Sequence, residues 1–118
     1  MLISFWASWC PPCREQAITL RRLSAQYGER LVIVGVSLDQ DRREFEAFVY
    51  NHHLPGRQIY DGGPLGLIGR LFSVPSAGIP YSILVDPEGR IAALGGPLQE
   101  KEEAIARLVA MVGERAGP

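Results

Sequence analysis

Cys10 and Cys13 are the two cysteines of this 118-residue chain, and they sit three positions apart in Trp9-Cys10-Pro11-Pro12-Cys13. A pair at this spacing suits thiol–disulfide exchange when a helix begins between its members. The helix N-terminus carries free N–H groups and the positive end of the dipole, and both favour a thiolate. The thiolate is the attacking species. On this reading Cys10, at the cap, is partly exposed and attacks a disulfide. Cys13, one turn further in, is more buried and resolves the mixed disulfide. Pro11 and Pro12 stiffen the loop and remove two backbone donors near the sulfurs.

The surrounding residues supply the required elements. Residues 2–6 are short, apolar and aromatic, as a buried strand is. Proline is tolerated in the first turn of a helix. The helix is predicted over 11–27, with Ala17, Leu20, Leu23, Ser24 and Tyr27 on its apolar stripe and Gly28 closing it. Residues 31–36 form a β-branched run typical of a central strand. Asp41 caps a second helix, with Glu44 as its capping-box partner and Phe45, Phe48 and Val49 facing inward. That helix frays near 51–53 and ends at Pro55-Gly56. A short strand follows at 57–60, then a loop, a short helix at 65–72 and an irregular stretch at 74–80. Strands at 81–85 and 91–94 are joined by Asp86-Pro87-Glu88-Gly89, a tight-turn sequence. A last helix over 99–112 turns Ile105, Leu108, Val109 and Val112 inward, and Gly113 stops it. The order is β-α-β-α, then β-β-α. This is an α/β fold with a central mixed sheet flanked by helices, in one domain over residues 1–118.

Composition excludes several functions. A net charge of −1 offers no basic surface for nucleic acid. No apolar run approaches the roughly 20 residues that span a bilayer. No basic leader precedes the first strand. A structural zinc site needs four ligands, and beyond the cysteines only His52 and His53 are good candidates, after a different helix. Covalent haem needs His after the second cysteine, where Arg14 stands. An inert disulfide across so small a loop constrains the unfolded chain little. No metal or cofactor is expected.

The segment Phe5-Trp6-Ala7-Ser8-Trp9-Cys10-Pro11-Pro12-Cys13-Arg14 resembles the active-site segment of the TlpA/ResA-like thioredoxin-fold proteins of bacteria. The likeness continues in Val34-Gly35-Val36-Ser37-Leu38-Asp39, in Gly78-Ile79-Pro80, and from Ile83 to Ile91. It implies a thioredoxin-like fold and the reduction or oxidation of protein disulfides, with a reductant the favoured direction, working outside the cytoplasmic membrane in a setting such as cytochrome c maturation, with a cytoplasmic location the alternative. It further implies a monomer that meets protein disulfide or dithiol substrates and an upstream redox partner, with any membrane attachment lying in a missing anchor. Pro80 is expected to be the cis-proline facing the cysteines, and Ile79 to offer backbone groups to an extended substrate peptide. Trp9, Pro11 and Pro12 complete the expected substrate surface, while Trp6 belongs to the core. Relatives carry an N-terminal strand, and often a membrane anchor, before the point where this chain begins.

Three positions depart from the family pattern. Ser4 replaces a buried Asp, Gln16 replaces a Glu, and Ile18 replaces a kinking proline. No carboxylate is therefore placed to take the proton of Cys13. Two other functions on related folds fit less well. A peroxiredoxin-like peroxidase needs Thr three residues before its cysteine, where Ala7 stands. A Cu(I)-binding module usually separates its cysteines by three residues and supplies a well-placed His.

Overall fold

The computed structural model describes residues 1–63, 66–74, 78–96 and 98–115. Its elements are β1 (Leu2–Trp6), α1 (Pro11–Tyr27), β2 (Ile33–Ser37), α2 (Arg42–Asn51), β3 (Arg57–Tyr60), α3 (Leu67–Leu71), β4 (Tyr81–Val85), β5 (Ile91–Leu94) and α4 (Glu102–Arg115). Short 3-10 turns at Gly28–Arg30 and Leu98–Lys101 follow α1 and precede α4.

The strands form one sheet in the order β3-β2-β1-β4-β5. β1 pairs parallel with β2 and antiparallel with β4, so it lies at the centre with all five residues buried. Side chains alternate across it, as strand geometry requires. Leu2 points into a core with Leu20 and Leu23 of α1, Leu84 of β4, and Ile105 and Val109 of α4. Ile3 and Phe5 point to the other face, against Val36, Ile83 and the α3 residue Ile68. Trp6, at the end of β1, stacks on Phe45 and Phe48 of α2, with ring centroids 5.9 and 4.6 Å away. The mixed sheet flanked by helices expected from the sequence is present.

Several boundaries move. Asp41 caps α2 by accepting from the Arg43 N–H at 2.8 Å, so the cap uses the second helical residue rather than a box with Glu44. The last helix starts at Glu102 behind its 3-10 turn and runs through Gly113. One helical glycine costs only about 1 kcal/mol and does not by itself end a helix. The predicted start of the short helix, at 65, and residues 75–77 of the irregular stretch lie outside the described residues. His52 is half-buried, with its ring 4.1 Å from that of Phe48.

Gly35 has a specific role. A Cβ there would collide with the side chain of Gln58 on β3. The bare backbone lets Gln58 cross the sheet, accept from Trp6 Nε1 at 3.0 Å and donate to the Pro55 carbonyl at 2.9 Å. The indole N–H of a buried tryptophan thereby finds its partner.

Candidate functional site

β1 delivers the chain to the top of the sheet, and α1 starts at Pro11. Cys10 is the N-cap residue of α1 in extended conformation, and Pro11 and Pro12 fill the first two helical positions. Neither proline has an N–H, and the Cys13 N–H donates to the Cys10 carbonyl at 3.0 Å. The first turn therefore offers the sulfurs its dipole with fewer amide donors than usual. Cys10 and Cys13 form a disulfide, with Cα atoms 5.3 Å apart.

Both cysteines are buried, Cys10 at 4% exposure and Cys13 at 3%. The expected partial exposure of Cys10 is thus corrected. Its side chain turns inward and packs with Trp6, Ala7, Cys13, Phe45 and Phe48, with the half-buried Ile79 against the same cluster. Pro11 and Pro12 are exposed, and Trp9 is 57% exposed beside them. A groove between the starts of α1 and α2 runs from Trp9 past Ser8, Arg14, Asp39, Asp41 and Glu44.

The Ile79–Pro80 peptide bond is cis, and the Ile79 carbonyl oxygen lies 3.7 Å from Cys10 Sγ. In the reduced protein a thiol at that position has an acceptor waiting. The fold thus brings Cys10, Cys13, Ile79 and Pro80 together, with Trp9, Pro11 and Pro12 on the rim.

Behind Cys13, Gln16 lies on the same buried stripe of α1, and its Nε2 donates to Ser4 Oγ on β1 at 2.9 Å. Ser4 and Gln16, two of the positions read from the sequence as departures from the family pattern, thus satisfy one another as a neutral pair. A neutral amide–hydroxyl pair adds no charge beside the thiol and places no base there.

One organising residue escaped the sequence reading as a site residue. Asp39 is 1% exposed, just after β2. Its carboxylate accepts from the Ser8 N–H at 3.0 Å, from Ser8 Oγ at 2.7 Å and from Ser37 Oγ at 2.7 Å. It fixes the loop that carries Trp9 and Cys10. The signal was Ser37-x-Asp39 directly after a strand, since short polar side chains at a strand end bond nearby backbone. Asp61 plays a similar part at α3, accepting from the Ile68 and Gly69 N–H groups at 3.0 and 2.8 Å.

A buried cysteine pair, here a disulfide, at a helix N-terminus and opposite a cis-proline on a mixed sheet defines the thioredoxin-like class of redox folds. The family model described as Thioredoxin-like matches residues 1–91, and the chain belongs to that family. It is 34% identical over 102 residues to the thiol:disulfide interchange protein DsbE homolog of Paracoccus denitrificans, covering 86% of this chain and 53% of that protein. It is 29% identical over 92 residues to the thiol-disulfide oxidoreductase ResA of Oceanobacillus iheyensis, covering 77% of this chain and 46% of that one. The chain thus spans about half the length of these relatives. A solved thiol-disulfide oxidoreductase from Bacteroides fragilis superposes with a TM-score of 0.75 at 30% identity, covering 88% of this chain and 79% of that structure. Among the described residues, no helix is long and apolar enough to cross a membrane, and no group of three His, Cys, Asp or Glu residues could hold a metal ion.

Proposed function

We propose that the protein reduces disulfides of protein partners through Cys10 and Cys13, and that an upstream redox partner re-reduces it outside the cytoplasmic membrane. The observation that carries this reading is the Cys10–Cys13 disulfide at the start of α1, 3.7 Å from the carbonyl that precedes a cis-proline. The names of the relatives support disulfide interchange, and the resemblance of the motif region supports the extracytoplasmic setting and a role in cytochrome c maturation.

The exchange runs in two displacements. The Cys10 thiolate attacks one sulfur of the partner disulfide. That S–S bond breaks, the Cys10–partner mixed disulfide forms, and one partner thiolate leaves and takes a proton from water. Cys13 then attacks Cys10 Sγ, the Cys10–Cys13 bond forms, and the second partner thiol departs with the proton of Cys13. Two electrons and two protons have passed to the partner. The neutral Ser4–Gln16 pair accepts no proton, so the departing thiolate is the base. Trp9 and the Ile79 backbone bind the partner segment, and Pro11 and Pro12 hold the loop in its attacking shape.

The test is dithiothreitol-driven reduction of a folded protein disulfide. Catalysis by the wild-type chain, lost in Cys10→Ser and stalled as a covalent adduct in Cys13→Ser, is the expected result. An uncatalysed rate with wild-type protein overturns the reading.

A further inference from the structure

Lys101 is the single lysine of the chain, and it is buried at 4% exposure in the 3-10 turn before α4. Removing an ammonium from water costs several kcal/mol unless the charge is paired and hydrogen-bonded. Its Nζ donates to the carbonyl of Gly95 and, at 3.4 Å, to that of Gly96. Gly95 and Gly96 follow β5 with φ of +75° and +77°, the left-handed region that glycine tolerates. Two consecutive carbonyls in that turn converge on one cation.

The clamped turn is bonded in its turn to the start of β4. The Gly95 N–H donates to the Ser82 carbonyl at 2.8 Å, and Ser82 Oγ donates to the Gly96 carbonyl at 3.2 Å. The Tyr81 ring lies against Gly95, so that a Cβ added there would come within 3.0 Å of it. Tyr81 and Ser82 are the two residues that follow the cis Ile79–Pro80 peptide. Pro80 itself has no N–H with which to anchor, so beside the packing of Ile79 the peptide is held by the backbone of these two residues. Ser82 also faces Ser4 across the β1–β4 pair, and Ser4 holds Gln16, one turn past Cys13. The redox helix and the cis-proline strand thus meet on one buried polar seam that ends at Lys101.

We propose that Lys101 is a positioning residue: its ammonium fixes the Gly95–Gly96 turn and, through Ser82 and Tyr81, sets the Ile79–Pro80 peptide against which a partner's disulfide segment aligns. Burial lowers the pKa of this amine and Glu100 partly opposes that. The proposal rests on the protein-disulfide reading above. A small disulfide needs only to reach the Cys10–Cys13 pair, whereas a peptide must also align along Ile79.

The test compares kcat and KM for a disulfide-bonded peptide with turnover of a small disulfide, bis(2-hydroxyethyl) disulfide. The variants are Lys101→Met, which keeps the stem, Lys101→Arg, which restores a donor, and Ser82→Ala, which cuts the tie to Gly96 and keeps the lysine. Lys101→Met raises the peptide KM about tenfold, since misplacing a reacting segment by a fraction of an ångström has effects of that order. Its small-disulfide turnover stays within about twofold of wild type, about 0.4 kcal/mol. Lys101→Arg recovers most of the peptide KM, and Ser82→Ala raises it by about threefold. Where Lys101→Met does not fold, Ser82→Ala carries the test. A peptide KM unmoved in the folded variants, or a parallel loss on both substrates, overturns the clamp. Wild-type protein that turns over the small disulfide and not the peptide overturns the functional reading and the clamp with it.

Discussion

Replacing Asp39 with Ala removes the hub of the loop that presents Trp9 and Cys10. Three donors lose their acceptor: the Ser8 N–H, Ser8 Oγ and Ser37 Oγ. Hydrogen bonds to a charged group contribute about 1.5–3 kcal/mol each where both partners stay dry. Ser8 is half-buried, so its two donors recover part of that from water. Ser37 is fully buried; its oxygen still accepts from the residue 39 N–H, and its own proton, left without an acceptor, costs about 1–3 kcal/mol. The carboxylate itself no longer has to be desolvated, which offsets part of the loss. The net destabilisation is about 2–4 kcal/mol. For a domain of this size 1 kcal/mol moves Tm by roughly 3–5 °C, so Tm falls by roughly 6–20 °C. Asp39→Asn keeps the acceptor for Ser8 but offers Ser37 an amide donor, and it costs about half as much. Scanning calorimetry and urea titration measure both variants, with Ser8→Ala and the Ser8→Ala/Asp39→Ala pair completing a double-mutant cycle. The cycle yields a coupling of about 1–2 kcal/mol, because the two residues share bonds. Asp39→Ala within 2 °C of wild type, or strict additivity in the cycle, would refute the assignment of Asp39 as the anchor of the loop.

Further expectations follow from the same structure. Leu84→Ala, at a fully buried position between α1 and α4, costs about 3–5 kcal/mol in a urea titration. Trp9→Ala removes an exposed aromatic at the rim and raises KM for a peptide disulfide several-fold, while leaving Tm within about 2 °C as surface changes do. Lys101 gives a signed pH dependence. Its pKa in the fold is lowered from 10.5 by burial, so between the lowered value and 10.5 the unfolded chain holds more protons. Stability of wild type relative to Lys101→Met therefore rises with pH across that window, as urea midpoints between pH 8 and 10.5 will show. A flat difference would place the amine in water.

The redox pair, its helix and most of the sheet were legible because each rests on local chemistry. A cysteine pair ahead of prolines marks a helix start, and runs such as 31–36 have no comfortable place outside a sheet. The expectation of a cis-proline came from resemblance, since no local pattern distinguishes cis from trans at Pro80. The burial of Cys10 was not legible, because it depends on Phe45, Phe48 and Ile79, which the chain supplies from 35 to 69 residues away in sequence. Asp39 and Lys101 were missed as organisers for the same reason. An aspartate after a strand and a lysine before a helix usually lie in solvent. Only the fold shows that their partners are Ser8, 31 residues earlier, and a left-handed Gly-Gly turn. Ser4 and Gln16 were noted singly as departures from the family pattern, and only the packing of α1 on β1 reveals that they complement each other.

The most direct measurement is the equilibrium reduction potential of the Cys10–Cys13 pair in defined glutathione and dithiothreitol buffers. A potential near about −270 mV or lower is the predicted result, that of a pair that donates electrons to partner disulfides. A potential between about −120 and −180 mV would make the protein an oxidant or isomerase, and a pair that never equilibrates with the buffer would make the disulfide structural; either contradicts the account.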